Sequence, residues 1–143
     1  MNNREGKPAV LVVEDDPALL HLIELVLAGG GFDVEPAGNA ADGLARVRRR
    51  QGGFDLAIVD IVMPRVSGLD LAGDLDREFP NLKILYISGF VGSLAAQALA
   101  RRSPDRVLLK PFSDQDLLHR VRALIGVPQP EGKGQTTGGG TLG

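Results

Sequence analysis

Apolar residues along the chain gather in five short runs, Ala9–Val13, Phe32–Glu35, Leu56–Val59, Ile84–Ile87 and Val107–Leu109, with stretches of helical periodicity between them. Each run is too short for a helix, and four carry almost no polar interruption, as strands buried on both faces do. The second run alternates apolar with polar and is followed at once by Pro36, so it predicts an edge strand, where a missing N–H costs no ladder bond. Leu19, Ile23, Val26 and Leu27 make one helical face, Leu71, Ala72, Leu75 and Phe79 a second, and Leu117, Val121, Leu124 and Ile125 a third. A helix capped near Asn39 is expected to turn Ala41, Leu44 and Ala45 inward, and a weakly marked, Ala-rich helix spans Leu94 to Ala100. Ser113 and Asp116 stand at the cap and third positions of the last helix, a capping box with Asp in place of Glu. This alternation predicts an α/β fold: a doubly wound, five-stranded parallel sheet with helices on both faces.

Composition sharpens the outline. The 143 residues suit one domain, expected over 8–126, after a short lead over 1–7 and before a disordered Gly/Pro-rich tail over 127–143. Cysteine is absent, which excludes disulfides and thiolate metal sites. The first apolar run stops at Glu14, too short for a signal-peptide core or a membrane span, so a cytoplasmic protein without membrane contact is expected. Net charge is −2, and the basic residues Arg46, Arg48, Arg49 and Arg50 fall where a helix ends, a position that suits cations. No direct nucleic-acid binding is expected of this chain, and no DNA-binding output domain within it.

In an open parallel sheet, ligands collect outside the carboxyl ends of the strands. The residues found there are Glu14-Asp15-Asp16 after the first run, Asp60 after the third, Ser88-Gly89 after the fourth and Lys110-Pro111-Phe112 after the fifth. Carboxylates from adjacent strands repel by roughly 4 kcal/mol at about 4 Å and an effective dielectric near 20, so the cluster calls for a cation. A hard divalent ion with oxygen ligands answers that need, and Mg²⁺ commonly also takes a phosphate oxygen. Lys110 adds a second positive charge, and the Ser88 hydroxyl is a donor for a phosphoryl oxygen. Taken singly, Asp15 and Asp16 also suit a helix start before Pro17, and Lys110 suits a surface ion pair.

Three segments together resemble the receiver domain of two-component response regulators: Val-Val-Glu-Asp-Asp-Pro, Val-Asp-Ile-Val-Met-Pro and Leu-Leu-Lys-Pro-Phe, supported by Ser88-Gly89. The resemblance covers residues 8–126 and implies a flavodoxin-like (βα)5 fold with strand order 2-1-3-4-5. It implies that Asp60 accepts a phosphoryl group from a histidine kinase or phosphotransfer protein, with Ser88 and Lys110 assisting. It also implies Mg²⁺ held by Asp16 and Asp60 directly, by Asp15 largely through water and by the Val62 carbonyl, and a cis Lys110-Pro111 bond. Such a domain is a signalling switch rather than an enzyme, passing its state to a downstream protein as a monomer or weak homodimer. The alternatives are a phosphorylation-independent scaffold, or the receiver of a hybrid kinase. Many receivers carry an aromatic residue three positions before the lysine; Val107 stands there, so output is expected through the Ser88 loop and the fourth helix. Val62 and Phe90, two positions beyond Asp60 and Ser88, are expected to border the path of attacking water.

Overall fold

A computed structural model describes residues 6–63, 67–89 and 94–130. Five strands, β1 (Ala9–Val13), β2 (Asp33–Ala37), β3 (Leu56–Asp60), β4 (Ile84–Ser88) and β5 (Val107–Leu109), alternate with helices α1 (Pro17–Gly29), α2 (Ala40–Arg49), α3 (Gly68–Glu78), α4 (Leu94–Arg102) and α5 (Asp114–Ile125). A short 3₁₀ turn, Pro104–Arg106, precedes β5. The strands pair in parallel in the order β2-β1-β3-β4-β5, as the resemblance implied.

This order dictates the layers. The chain steps from β1 to β2 in one direction and thereafter across the sheet in the other, and right-handed crossovers then put α1 on one face and α2, α3 and α4 on the opposite one. One buried cluster accordingly joins Leu11, Val13, Ala57 and Val59 to Val47 of α2 and Leu71 and Leu75 of α3. The other joins Val10, Val12, Ile58 and Ile87 to Ile23 and Leu27 of α1 and Leu117 and Val121 of α5. The central strands β1 and β3 are buried throughout, which explains their unbroken apolar runs.

β2 lies at the edge as expected, with Pro36 in register with Val12 and only Ala37 of the strand fully buried. The expected inner face of α2 is corrected: Ala40, Gly43 and Val47 are buried, whereas Ala41 and Ala45 are exposed. Val47 decides the rotation of the helix, since its branched side chain has more apolar surface to hide than an alanine. Gly43 lets α2 approach, because a Cβ there would stand 2.8 Å from a Val13 methyl. The caps fall where expected: Asn39 accepts from the Asp42 N–H, and Ser113 and Asp116 form the reciprocal capping box of α5. The Lys110-Pro111 bond is cis. Of the tail expected over 127–143, the part from 131 lies outside the described residues, as do Phe90 and Pro64. Among the described residues no helix is long and apolar enough to cross a membrane.

Candidate phosphoacceptor site

The topological switch lies between β1 and β3, and the carboxyl ends of these strands deliver Glu14, Asp15 and Asp60 to one crevice. One carboxylate oxygen from each of the three lies within 4.8 Å of the others. Glu14 and Asp60 are buried, at 1% and 2% exposure, while Asp15 is exposed at the mouth. Lys110, at the end of β5, reaches across to both buried acids: its Nζ donates to Glu14 Oε1 and to Asp60 Oδ2, each at 3.2 Å. The second Asp60 oxygen, Oδ1, accepts the Val62 N–H at 3.1 Å. Glu14 Oε2 accepts the Asp16 N–H at 3.1 Å.

Two buried carboxylates share one ammonium, and titration reflects it. Burial pushes the Glu14 carboxyl up to about 7; the Asp16 N–H opposes that, the nearby Asp60 charge adds to it, and Lys110 opposes it. Burial works to lower Lys110, but the charges and hydrogen bonds of Asp60 and Glu14 outweigh it and hold the ammonium above its usual range. The donor set consists of hard carboxylate oxygens with an excess of negative charge, which fits a divalent cation such as Mg²⁺.

Of the acids expected to ligate, the structure brings Asp15 and Asp60 together and sends Asp16 elsewhere. Asp16 is the N-cap of α1, its Oδ1 accepting the Ala18 N–H at 3.1 Å, with Pro17 opening the helix. The acids whose oxygens meet Asp60 within 4.8 Å are therefore Glu14 and Asp15. The signal was legible: a helix that begins with proline needs a capping side chain immediately before it, and that position is Asp16. Glu14, the first residue beyond β1 and outside the ligand set that the resemblance implied, is the most buried acid of the three.

Ser88 is buried at the end of β4, and its carbonyl accepts the Lys110 N–H at 2.8 Å, which locks the serine and the lysine strand ends together. Gly89 is small because a Cβ there would come within 2.8 Å of the Lys110 stem. Gly68 is a further residue packed on this crevice that periodicity alone does not reveal. Its N–H donates to the Ile61 carbonyl at 2.9 Å, and a Cβ there would lie 2.0 Å from the Asp60 carbonyl oxygen. The first turn of α3 thus rests directly on the backbone of Asp60, with Ser67 as its cap. Val62, beside Asp60, has a half-exposed side chain, whereas Val107 is buried at the start of β5.

The family model for the response regulator receiver domain matches residues 10–122, which contain every residue of this crevice. The chain belongs to the response regulator receiver domain family. Among curated relatives of this receiver domain, the probable transcriptional regulatory protein TcrX of Mycobacterium tuberculosis is 31% identical over 126 residues, covering 87% of this chain and 53% of that protein. The DNA-binding response regulator MtrA of Mycolicibacterium smegmatis is 31% identical over 116 residues, covering 81% of this chain and 50% of that protein. A receiver domain from Clostridium thermocellum superposes with a TM-score of 0.75 at 27% identity, covering 83% of this chain and 94% of that one. The response regulator TrrA of Thermotoga maritima, solved in complex with Mg(2+)-BeF, superposes with a TM-score of 0.71 at 28% identity, covering 82% of this chain and 98% of that one.

The expectation of no direct nucleic-acid binding by this chain is corrected by these relatives, since MtrA is a DNA-binding response regulator and TcrX a transcriptional one. The receiver domain spans about half the length of the curated relatives it matches. Net charge and the arginine cluster describe that half alone, and a charge count over a receiver says nothing of how the longer proteins reach DNA. Within the receiver, Arg46 and Arg50 bind Glu35 of the edge strand at 2.9 and 3.2 Å.

Proposed function

We propose that this receiver domain is a phosphorylation-dependent switch in which Asp60 accepts a phosphoryl group from the phosphohistidine of a kinase or phosphotransfer protein. The observation that carries the reading is the hold on Asp60: one oxygen faces Lys110, the other the Val62 N–H, and two further acids crowd the same crevice. In the transfer, a carboxylate oxygen of Asp60 forms a bond to phosphorus as the phosphorus–nitrogen bond to the donor imidazole breaks, and the imidazole leaves with the bonding pair. Lys110 stands where charge on the moving oxygens would need an ammonium, and Ser88, at the neighbouring strand end, supplies a hydroxyl donor. Glu14, Asp15, Asp60 and the Val62 carbonyl would hold Mg²⁺. When bound, Mg²⁺ would neutralise the acids and the phosphoryl oxygens, lowering the repulsion that otherwise keeps a phosphate out.

Reversal requires attack of water on the same phosphorus, so the domain promotes its own phosphorylation and dephosphorylation and turns over no external ester. The names of the relatives point the output towards transcription. Incubation with acetyl phosphate and Mg²⁺, read by intact mass, is expected to add one phosphoryl group to the wild type and none to Asp60→Ala or to a chelated sample. Failure with both acetyl phosphate and a phosphohistidine donor would leave a scaffold that binds partners regardless of phosphorylation.

A further inference from the structure

Of the two edge strands β5 is the shorter, and it is the one that delivers Lys110 to the crevice. It holds three residues, Val107–Leu109, and pairs with β4 alone. Leu109 is 50% exposed, so burial secures the end of the strand only weakly. The Lys110 N–H donates to the Ser88 carbonyl, and backbone polar groups alternate sides along a strand. Leu108 and Lys110 therefore turn theirs toward β4, and Val107 turns its carbonyl to the open edge. The ladder leaves that oxygen without a donor.

Arg120 of α5 supplies one. Its Nη1 donates to the carbonyls of Val107 at 2.8 Å, Pro104 at 3.2 Å and Asp105 at 3.3 Å. One cation thus gathers oxygens of the 3₁₀ turn and of the first strand residue. The root of the arginine is firmly placed, because Leu117 and Val121, three positions before it and one after, are buried in the cluster on the sheet. Ser103, at the start of the turn, makes no side-chain cap bond, so the turn depends the more on this clasp. From the clasp the chain runs through β5 to Lys110, whose Nζ stands 3.2 Å from both Glu14 Oε1 and Asp60 Oδ2. A strand this short passes a slip at its start on to its end.

We propose that Arg120 is a positioning residue for phosphoryl transfer: by clasping the carbonyls at the start of β5, it holds Lys110, just beyond the strand's other end, against Asp60. The inference rests on Asp60 being the acceptor and Lys110 the cation that assists it, and the test separates the two. Arg120→Met keeps most of the stem and removes the donors. With Mg²⁺ and saturating acetyl phosphate, followed by intact mass, it is expected to lower the maximal rate about tenfold, as a small misplacement of a catalytic group does. Mg²⁺ affinity should stay within about twofold, since the acids that would hold the ion are distant from Arg120. Arg120→Lys keeps a donor without the planar fork and should recover to within about threefold of the wild type. In a Lys110→Met background, Arg120→Met should cost nothing further, because its effect passes through an ammonium already gone. A purely structural role would not give that non-additivity. If Arg120→Met does not fold, Arg120→Gln, with two N–H donors on a shorter stem, takes its place in the cycle, and a loss of about threefold is expected. An unchanged rate in Arg120→Met, the full loss repeated in the Lys110→Met background, or no recovery in Arg120→Lys overturns the inference and leaves the acceptor reading standing. If the wild type takes phosphoryl from neither acetyl phosphate nor a phosphohistidine donor, the acceptor reading falls and this one with it.

Discussion

At Gly68 the two effects of adding a methyl group oppose one another. Alanine ordinarily favours a helix over glycine by about 1 kcal/mol, but here its Cβ would meet the Asp60 carbonyl oxygen at 2.0 Å, a backbone atom that cannot rotate away. Overpacking wins, and Gly68→Ala is expected to destabilise by about 2 kcal/mol and to slow phosphoryl uptake, read by denaturant midpoint and by mass. An unchanged or higher midpoint would contradict this close approach. Glu14 gives a pH dependence whose sign follows from its environment. In the metal-free protein it keeps its proton up to about 7, against 4.5 for an ordinary glutamate, so between those values the folded state binds more protons than the unfolded one. Stability should fall as pH rises through that window, in urea midpoints taken with chelator. Glu14→Gln should flatten the slope, as should saturating Mg²⁺, which competes with the proton. Neither residue stands out in an apolar-periodicity reading: Gly68 looks like an ordinary helix start, and Glu14 like the flank of a richer acidic pair.

The elements themselves were well marked in the chain, because burial on both faces leaves no ambiguity in β1 and β3, and because caps such as Asn39 and Ser113 are local chemistry. The rotation of α2 was misread by one residue, since three alanines and a glycine mark a face weakly and Val47 had to be weighed against them. The same one-residue question divides Asp15 from Asp16, and mutagenesis can resolve it at the level of α1. Asp16→Ala removes an N-cap and is expected to cost about 1 kcal/mol of stability while Mg²⁺ affinity stays within about threefold. Asp15→Ala should do the reverse, leaving the helix intact and weakening Mg²⁺ by about tenfold or more. Titrations of metal against both variants, with midpoints measured alongside, decide the assignment; a larger loss of Mg²⁺ affinity in Asp16→Ala would restore the earlier pairing.

For the whole molecule, a cation that binds only when β1 and β3 stand side by side must stabilise the fold by mass action. At about a hundred times its dissociation constant, Mg²⁺ is expected to add about 2.7 kcal/mol to wild-type stability, and much less to Asp60→Ala, in urea unfolding at fixed pH. Equal stabilisation of both would place the ion elsewhere. The order of strands and helices, the edge position of β2 and the capping of α5 were determined by the sequence alone, since each depends on neighbours within a few residues or on the plain tally of apolar positions. Which acid of Glu14, Asp15 and Asp16 points into the crevice, how Lys110 bridges two carboxylates from β1 and β3, and how closely α3 rests on Asp60 were decided only by the tertiary structure. Those features depend on where the chain bends as it leaves each strand and on side chains up to 96 positions apart in sequence, and such distances are set only when the sheet closes.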